Sequence, residues 1–172
     1  MSQVSGRSTS GVQQLFVRDA SGSYIPAGVA EVVGTAKNLI GKQLARKSRR
    51  LNNPEIAIDW LRFNLWDRSR ETFCVIYLDA QHRVLKVEEL FHGTLTTCAV
   101  YPREVAKHAL IENAANVIAC HNHPSSCPDP SEDDIAMTKK LKEVLSLIEV
   151  NVIDHIVIGG GEAISMAKRG LI

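Results

Sequence analysis

The chain has 172 residues, and no apolar run in it approaches the ~18–20 residues a membrane-spanning helix requires. The amino-terminal stretch is rich in Ser, Gly and Gln and lacks an apolar core of the signal-peptide kind. Neither sign of charge dominates: the formal net charge is +1, which gives no global case for a polyanionic partner. Cysteine is scarce and unpaired in spacing. Cys74, Cys98 and Cys120 sit in apolar, strand-like text and Cys127 in a loop, the pattern of reduced residues rather than of a disulfide framework. There is no internal repeat, no His-Glu-x-x-His helix, and no His-x-Glu with Pro-Cys-x-x-Cys, the pattern zinc deaminases require. The expectation is a soluble, cytoplasmic protein. With 45% hydrophobic residues it can bury one core of ~100–150 residues and carry an appendage.

What the chain does have is concentrated between residues 116 and 134. Asn116-Val117-Ile118-Ala119-Cys120 is short, apolar and partly β-branched, and reads as a buried strand running into His121-Asn122-His123-Pro124. Strand side chains alternate faces, so His121 and His123 point one way while Cys120 and Asn122 point the other. Pro124, Pro128 and Pro130 bend the chain out of the sheet into a stiff loop. Ser131-Glu132-Asp133-Asp134 then has the form of a helix N-cap ahead of Ile135, Leu141, Val144, Leu145 and Ile148 at helical spacing.

A strand end facing a helix N-terminus can bring His121, His123 and Asp134 to about 2.0–2.2 Å from one cation, leaving a fourth position for water. Two imidazoles and a carboxylate favour zinc over the oxygen-seeking magnesium or calcium, although iron, nickel or cobalt could use the same ligands. An ion there would lower the pKa of water or polarise a carbonyl. Read alone, Ser131 and Asp134 are also what a capping box needs, a device worth ~1 kcal/mol. The histidine pair asks for more, because two imidazoles on one face are costly to bury without a common partner. A structural zinc on Cys120, His123 and Cys127 is the competing arrangement, and strand alternation opposes it.

The string His-x-His, seven residues, Ser-x-x-Asp resembles the signature of the JAMM (MPN+, JAB domain) zinc metalloprotease superfamily. Arg70-Glu71-Thr72-Phe73, Leu90-Phe91-His92-Gly93-Thr94-Leu95, Tyr101-Pro102-Arg103-Glu104-Val105 and Asp154-His155-Ile156-Val157-Ile158-Gly159 are similar to its bacterial RadC-like branch, over about residues 50 to 172. The resemblance implies an α/β fold with a mixed, curved sheet flanked by helices, of the JAMM/MPN, cytidine deaminase-like kind. It implies one Zn2+ per chain on His121, His123 and Asp134, and Ser131 as the residue that helps hold water or a developing oxyanion. It implies a metallopeptidase or isopeptidase acting on a peptide or protein. The upstream glutamate that serves as general base in the family matches Glu71 best, with Glu88 and Glu89 in the next strand as alternatives. His155 is expected to be a hydrogen-bonded core histidine, and Asn122 and Pro124 to shape the site.

The remaining text gives the frame. Residues 1 to 12 are expected to be disordered, and 13 to 49 to form a small hairpin around Asp19-Ala20-Ser21-Gly22 followed by a basic helix. That helix runs out through Lys42, Arg46, Lys47, Arg49 and Arg50, either a solvated end favoured by the helix dipole or a phosphate-binding patch for nucleic acid. The second possibility would suit a DNA-associated accessory protein with a mainly structural metal. Asn53-Pro54-Glu55 starts a helix opening the main domain. Strands are then expected at about 72 to 78, 84 to 91, 94 to 98, 117 to 123, 152 to 158 and 163 to 166, with helices at 102 to 115 and 131 to 148.

Overall fold

The computed structural model describes residues 14–44, 54–65, 68–93 and 99–172. The disordered segment expected at 1 to 12, the strand expected at 94 to 98, and Arg46, Lys47, Arg49 and Arg50 lie outside the described residues. The chain divides into two compact units, Met1–Ala36 and Lys37–Ile172.

In the first unit, β1 (Phe16–Arg18) pairs antiparallel with β2 (Tyr24–Pro26). Asp19 holds the turn by accepting from Ser21 and Ser23 backbone N–H groups, an Asx arrangement that needs a short carboxylate at this position. α1 (Val29–Leu44) begins in this unit and continues into the second, with Lys42 in its last turn.

The second unit is built on one mixed sheet. Its elements are α2 (Pro54–Leu65), β3 (Thr72–Leu78), β4 (Val84–His92), α3 (Pro102–Ile111), β5 (Asn116–Asn122), α4 (Glu132–Ser146), β6 (Asn151–Gly159) and β7 (Glu162–Ser165). Among the described residues the strand order is β4-β3-β5-β6-β7. Only β5 and β6 are parallel, joined by α4 as the crossover that parallel strands require.

Alternation along β3 and β5 sorts the core into two layers. Cys74, Ile76, Leu78, Ile118 and Cys120 meet Leu61 and Leu65 of α2 on one side. Phe73, Val75, Tyr77, Val117 and Ala119 meet Val105 and Ala109 of α3 and Leu141 and Leu145 of α4 on the other. Both faces of β3 and β5 are covered, which is why these strands read as continuous apolar runs.

α3 stops at Ile111, short of the expected 115. Asn113 takes a left-handed conformation (φ 53°), which Asn tolerates better than most residues, and Ala114 N–H closes the end on Ala109 O. The Asp79 to His82 segment turns as its sequence suggests, with His82 at φ 57° and Asp79 Oδ1 accepting from Gln81 and Arg83. No helix among the described residues is long and apolar enough to cross a membrane.

Candidate metal centre

Register puts the site together. β3 and β5 pair with Phe73 opposite His121, so His121 lies on the face that carries Phe73, Val117 and Ala119, the face packed against α3 and α4. His123 is two residues further on the same side, at the strand's end, where its N–H still donates to Ile158 O at 2.7 Å. The Phe73 ring stacks on His121 with 18° between planes.

α4 supplies the third group. Ser131 is its N-cap in extended conformation, and the capping box is complete. Ser131 Oγ accepts from Asp134 N–H, while Ser131 N–H and Oγ–H donate to Asp134 Oδ2 at 2.7 and 2.6 Å. The cap therefore does two jobs: it starts the helix and aims the Asp134 carboxylate at the strand end. Asp134 Oδ1 stands 3.2 Å from His121 Nε2, and Oδ2 3.4 Å from His123 Nε2. The two Nε2 atoms are 2.9 Å apart. Exposure rises from 1% at His121 to 13% at Asp134 and 17% at His123, so the cluster is walled on one side and open on the other.

The donor set fits a divalent cation. His123 Nδ1 lies 2.8 Å from Cys127 O, and a carbonyl can only accept, so Nδ1 carries the proton and a neutral ring turns its Nε2 lone pair into the cluster. Ligand atoms of His121, His123 and Asp134 all lie within 4.8 Å of one another, and these three could hold a metal ion. Facing lone pairs beside a carboxylate repel unless a proton or a cation lies between them. Against the cost of burial, the hydrogen bonds that His121 and His123 would donate in their protonated forms, together with that of Ser131, hold the Asp134 carboxyl far below its usual range. The Asp134 hydrogen bond pushes His123 up. His155, fully buried, is pushed well down by desolvation and next by His121.

Glu71 stands just ahead of β3, two residues before Phe73. It is near enough to feel His121, Asp134 and His123. Burial, working against the two histidines, raises its carboxyl above the ordinary value. The alternatives are engaged elsewhere. Glu89 faces Cys74, on the α2 side of the sheet, and pairs with Arg68 at 2.7 Å. Glu88 faces Val75, four positions along the strand from Glu71, or about 13 Å. It is bound by Lys86 at 3.0 Å and His108 at 2.7 Å.

Asn122 points the other way, as alternation requires, and secures the segment carrying Glu71. Its Oδ1 accepts from Thr72 N–H at 2.9 Å and its Nδ2 donates to Arg70 O at 3.1 Å. Cys120 is buried among the α2-side residues with Sγ toward Cys74 O, so the Cys120, His123, Cys127 arrangement does not assemble. His155 is a core histidine, as expected, and its Nε2 lies 2.9 Å from His121 Nδ1. Thr138, which the sequence reading passed over, completes that contact from α4; its position four residues after Asp134, on the same helix face, was the available signal.

A mixed α/β sheet with two histidines at a strand end and an aspartate from the following helix places the chain in the JAB/MPN class of domains. The family model described as "RadC-like JAB domain" matches residues 51–171. The chain belongs to that family. It is similar to the "UPF0758 protein" of Cellvibrio japonicus, 49% identical over 120 residues, covering 70% of this chain and 54% of that protein. Similar too are the "UPF0758 protein" of Nitrosomonas eutropha, 44% identical over 146 residues (85% and 65%), and that of Shewanella amazonensis, 46% over 137 residues (80% and 60%). The chain thus spans between about half and two thirds of the length of the curated relatives it matches.

Proposed function

We propose that this chain is a zinc-dependent hydrolase that cleaves an amide bond, in the manner of a peptidase or isopeptidase. The observation that carries the reading is the convergence of His121 Nε2, His123 Nε2 and the Asp134 carboxylate at the end of the central strand β5, with Glu71, just ahead of the neighbouring strand β3, close enough to interact electrostatically with all three. Bound zinc supplies Lewis acidity toward a carbonyl and toward water. Glu71 takes the proton of the attacking water and delivers it to the leaving nitrogen, a task suited to a carboxylate whose pKa burial raises above its ordinary value. Ser131, whose hydroxyl proton is donated to Asp134 Oδ2 beside the cluster, turns that proton to the oxyanion that develops on the former carbonyl. Asn122 and Phe73 hold Glu71 and His121 in register so that neither must be reorganised during the reaction. The peptide or isopeptide substrate follows from the resemblance to JAMM proteases rather than from any groove.

The test is direct. Purified chain is expected to hold one zinc, lost in His123→Ala, and Glu71→Gln is expected to keep zinc and fold while cleavage of a peptide and ubiquitin-like substrate panel falls ~100-fold or more. Undiminished cleavage in Glu71→Gln would remove Glu71 from the mechanism. A native chain that binds no zinc would remove the reading.

A further inference from the structure

We propose that His155 and Thr138 are positioning residues that fix the tautomer of His121, so that its Nε2 presents a lone pair to the cluster before any ion binds. This rests on the metal-site reading above and specifies how the protein prepares that site.

The argument is an accounting of protons along one buried line. Thr138 Oγ1 lies 2.6 Å from Asp134 O, the carbonyl one helical turn earlier, and 2.6 Å from His155 Nδ1. A hydroxyl has one proton to give, and the carbonyl can only accept, so the proton goes to Asp134 O. Met166 Sδ, at 3.9 Å, is a far weaker acceptor. Toward His155 the hydroxyl must then accept, and His155 Nδ1 carries the hydrogen. In a neutral ring this leaves His155 Nε2 bare, 2.9 Å from His121 Nδ1. His121 Nδ1 must therefore be the donor, and His121 Nε2 is the bare nitrogen, 3.2 Å from Asp134 Oδ1.

The reverse polarity would have the opposite outcome. Were Thr138 to donate to His155, each later bond would turn round and His121 Nε2 would bring a proton into the cluster. The short contact to Asp134 O selects the productive direction. Thr138 and His155 are both 0% exposed, so water is not at hand to substitute for either. Phe73 braces both rings, stacked on His121 and edge-on to His155 at 5.6 Å. The line starts at the main-chain carbonyl of Asp134 and ends at its carboxylate. The first turn of α4 thus contributes one ligand and, through Thr138, sets the state of another.

The experiment is a long-range 1H–15N spectrum of the histidine rings in metal-free native protein at about pH 8, above the ordinary histidine pKa of about 6.5, together with zinc affinity by chelator competition. Native protein is expected to show His121 and His155 protonated at Nδ1. Thr138→Val, which keeps the shape and deletes the acceptor, is expected to place a proton on His121 Nε2 and to weaken zinc binding 10–100-fold, as loss of a ligand's hydrogen-bond partner does; Thr138→Ser is expected to restore both. A proton on His121 Nε2 in the native metal-free chain overturns the proposal, and so does native zinc affinity in a folded Thr138→Val. Because the native spectrum needs neither a variant nor activity, it decides the matter even if Thr138→Val fails to fold. Nδ1 protonation with tight zinc but no cleavage would defeat the hydrolase reading alone; the reverse tautomer in an active zinc enzyme would defeat this one alone.

Discussion

Three glutamates illustrate how little a single residue's identity says until its face and partners are known. The resemblance favours Glu71 and leaves Glu88 and Glu89 as alternatives for the carboxylate upstream of the histidines; pairing across β3 shows how differently the two alternatives are engaged. Glu89 is turned to the α2 side, and Glu88 belongs to a network with Lys86, His108 and, through Lys86, Glu112. Burial works to raise the Glu88 carboxyl, but the Lys86 and His108 hydrogen bonds outweigh it and the pKa is lowered from 4.5. A depressed folded pKa means stability that is present above the unfolded value and is lost as pH falls through the folded one. Glu88→Gln is therefore expected to cost about 0.5–1 kcal/mol at neutral pH. The gap from the native chain should close as pH drops below 4.5, measured by urea unfolding across that range. A constant gap at all pH values would mean that packing, not charge, is what Glu88 contributes.

At the scale of elements, most of the frame was legible because each element announces itself by period or by punctuation. β3 and β5 are apolar runs of strand length, α4 opens on Ser131 with its capping box, and the turn at Asp79 carries its own Asx signal. The convergence of His121, His123 and Asp134 was legible for the same reason: alternation fixes which side His121 and His123 share, and the cap fixes where Asp134 begins. Contacts between elements distant in sequence were not legible. Thr138 looks like any helical threonine until β6 brings His155 against it, and Asn122, expected to shape the site, shows its partners at Thr72 and Arg70 only once β3 is in place. The close approach of Gly159 to the loop after β5 was hidden likewise. A Cβ on Gly159 would meet Cys127 C and Pro128 N at 2.6 Å, and these are backbone atoms that cannot swing aside. That loop carries the carbonyl that orients His123. Gly159→Ala is expected to displace it, with loss of zinc affinity as well as stability. Gly161 is the control: unlike Gly159 it has a positive φ (82°), and a Cβ there meets nothing within 4 Å. Gly161→Ala should cost only backbone strain, about 1 kcal/mol, and leave zinc affinity unchanged. Chelator competition and thermal unfolding of the pair separate the two effects.

Across the whole molecule, the question is how much of the fold would depend on an ion held by His121, His123 and Asp134. A domain with little core folds only on its metal, whereas here two apolar layers cover both faces of the central strands independently of the site. An ion on His121, His123 and Asp134 would join the end of β5 to the first turn of α4, elements already connected by the loop and by the line through Thr138 and His155. It should therefore add stability by mass action rather than create the fold. At free zinc one hundred times the dissociation constant the gain is about 2.7 kcal/mol. For a chain of this size that corresponds to about 5–10 °C in Tm. Zinc stripped with a chelator is expected to lower Tm by this amount, to leave the far-ultraviolet circular dichroism at room temperature unchanged, and to be reversed on readdition. In His123→Ala the chelator should have no effect on Tm, since the loss of one imidazole already removes the linkage. If the stripped native chain instead lost its secondary structure at room temperature, the two-layer core would be insufficient by itself and the cation would have to be counted among the elements of the fold.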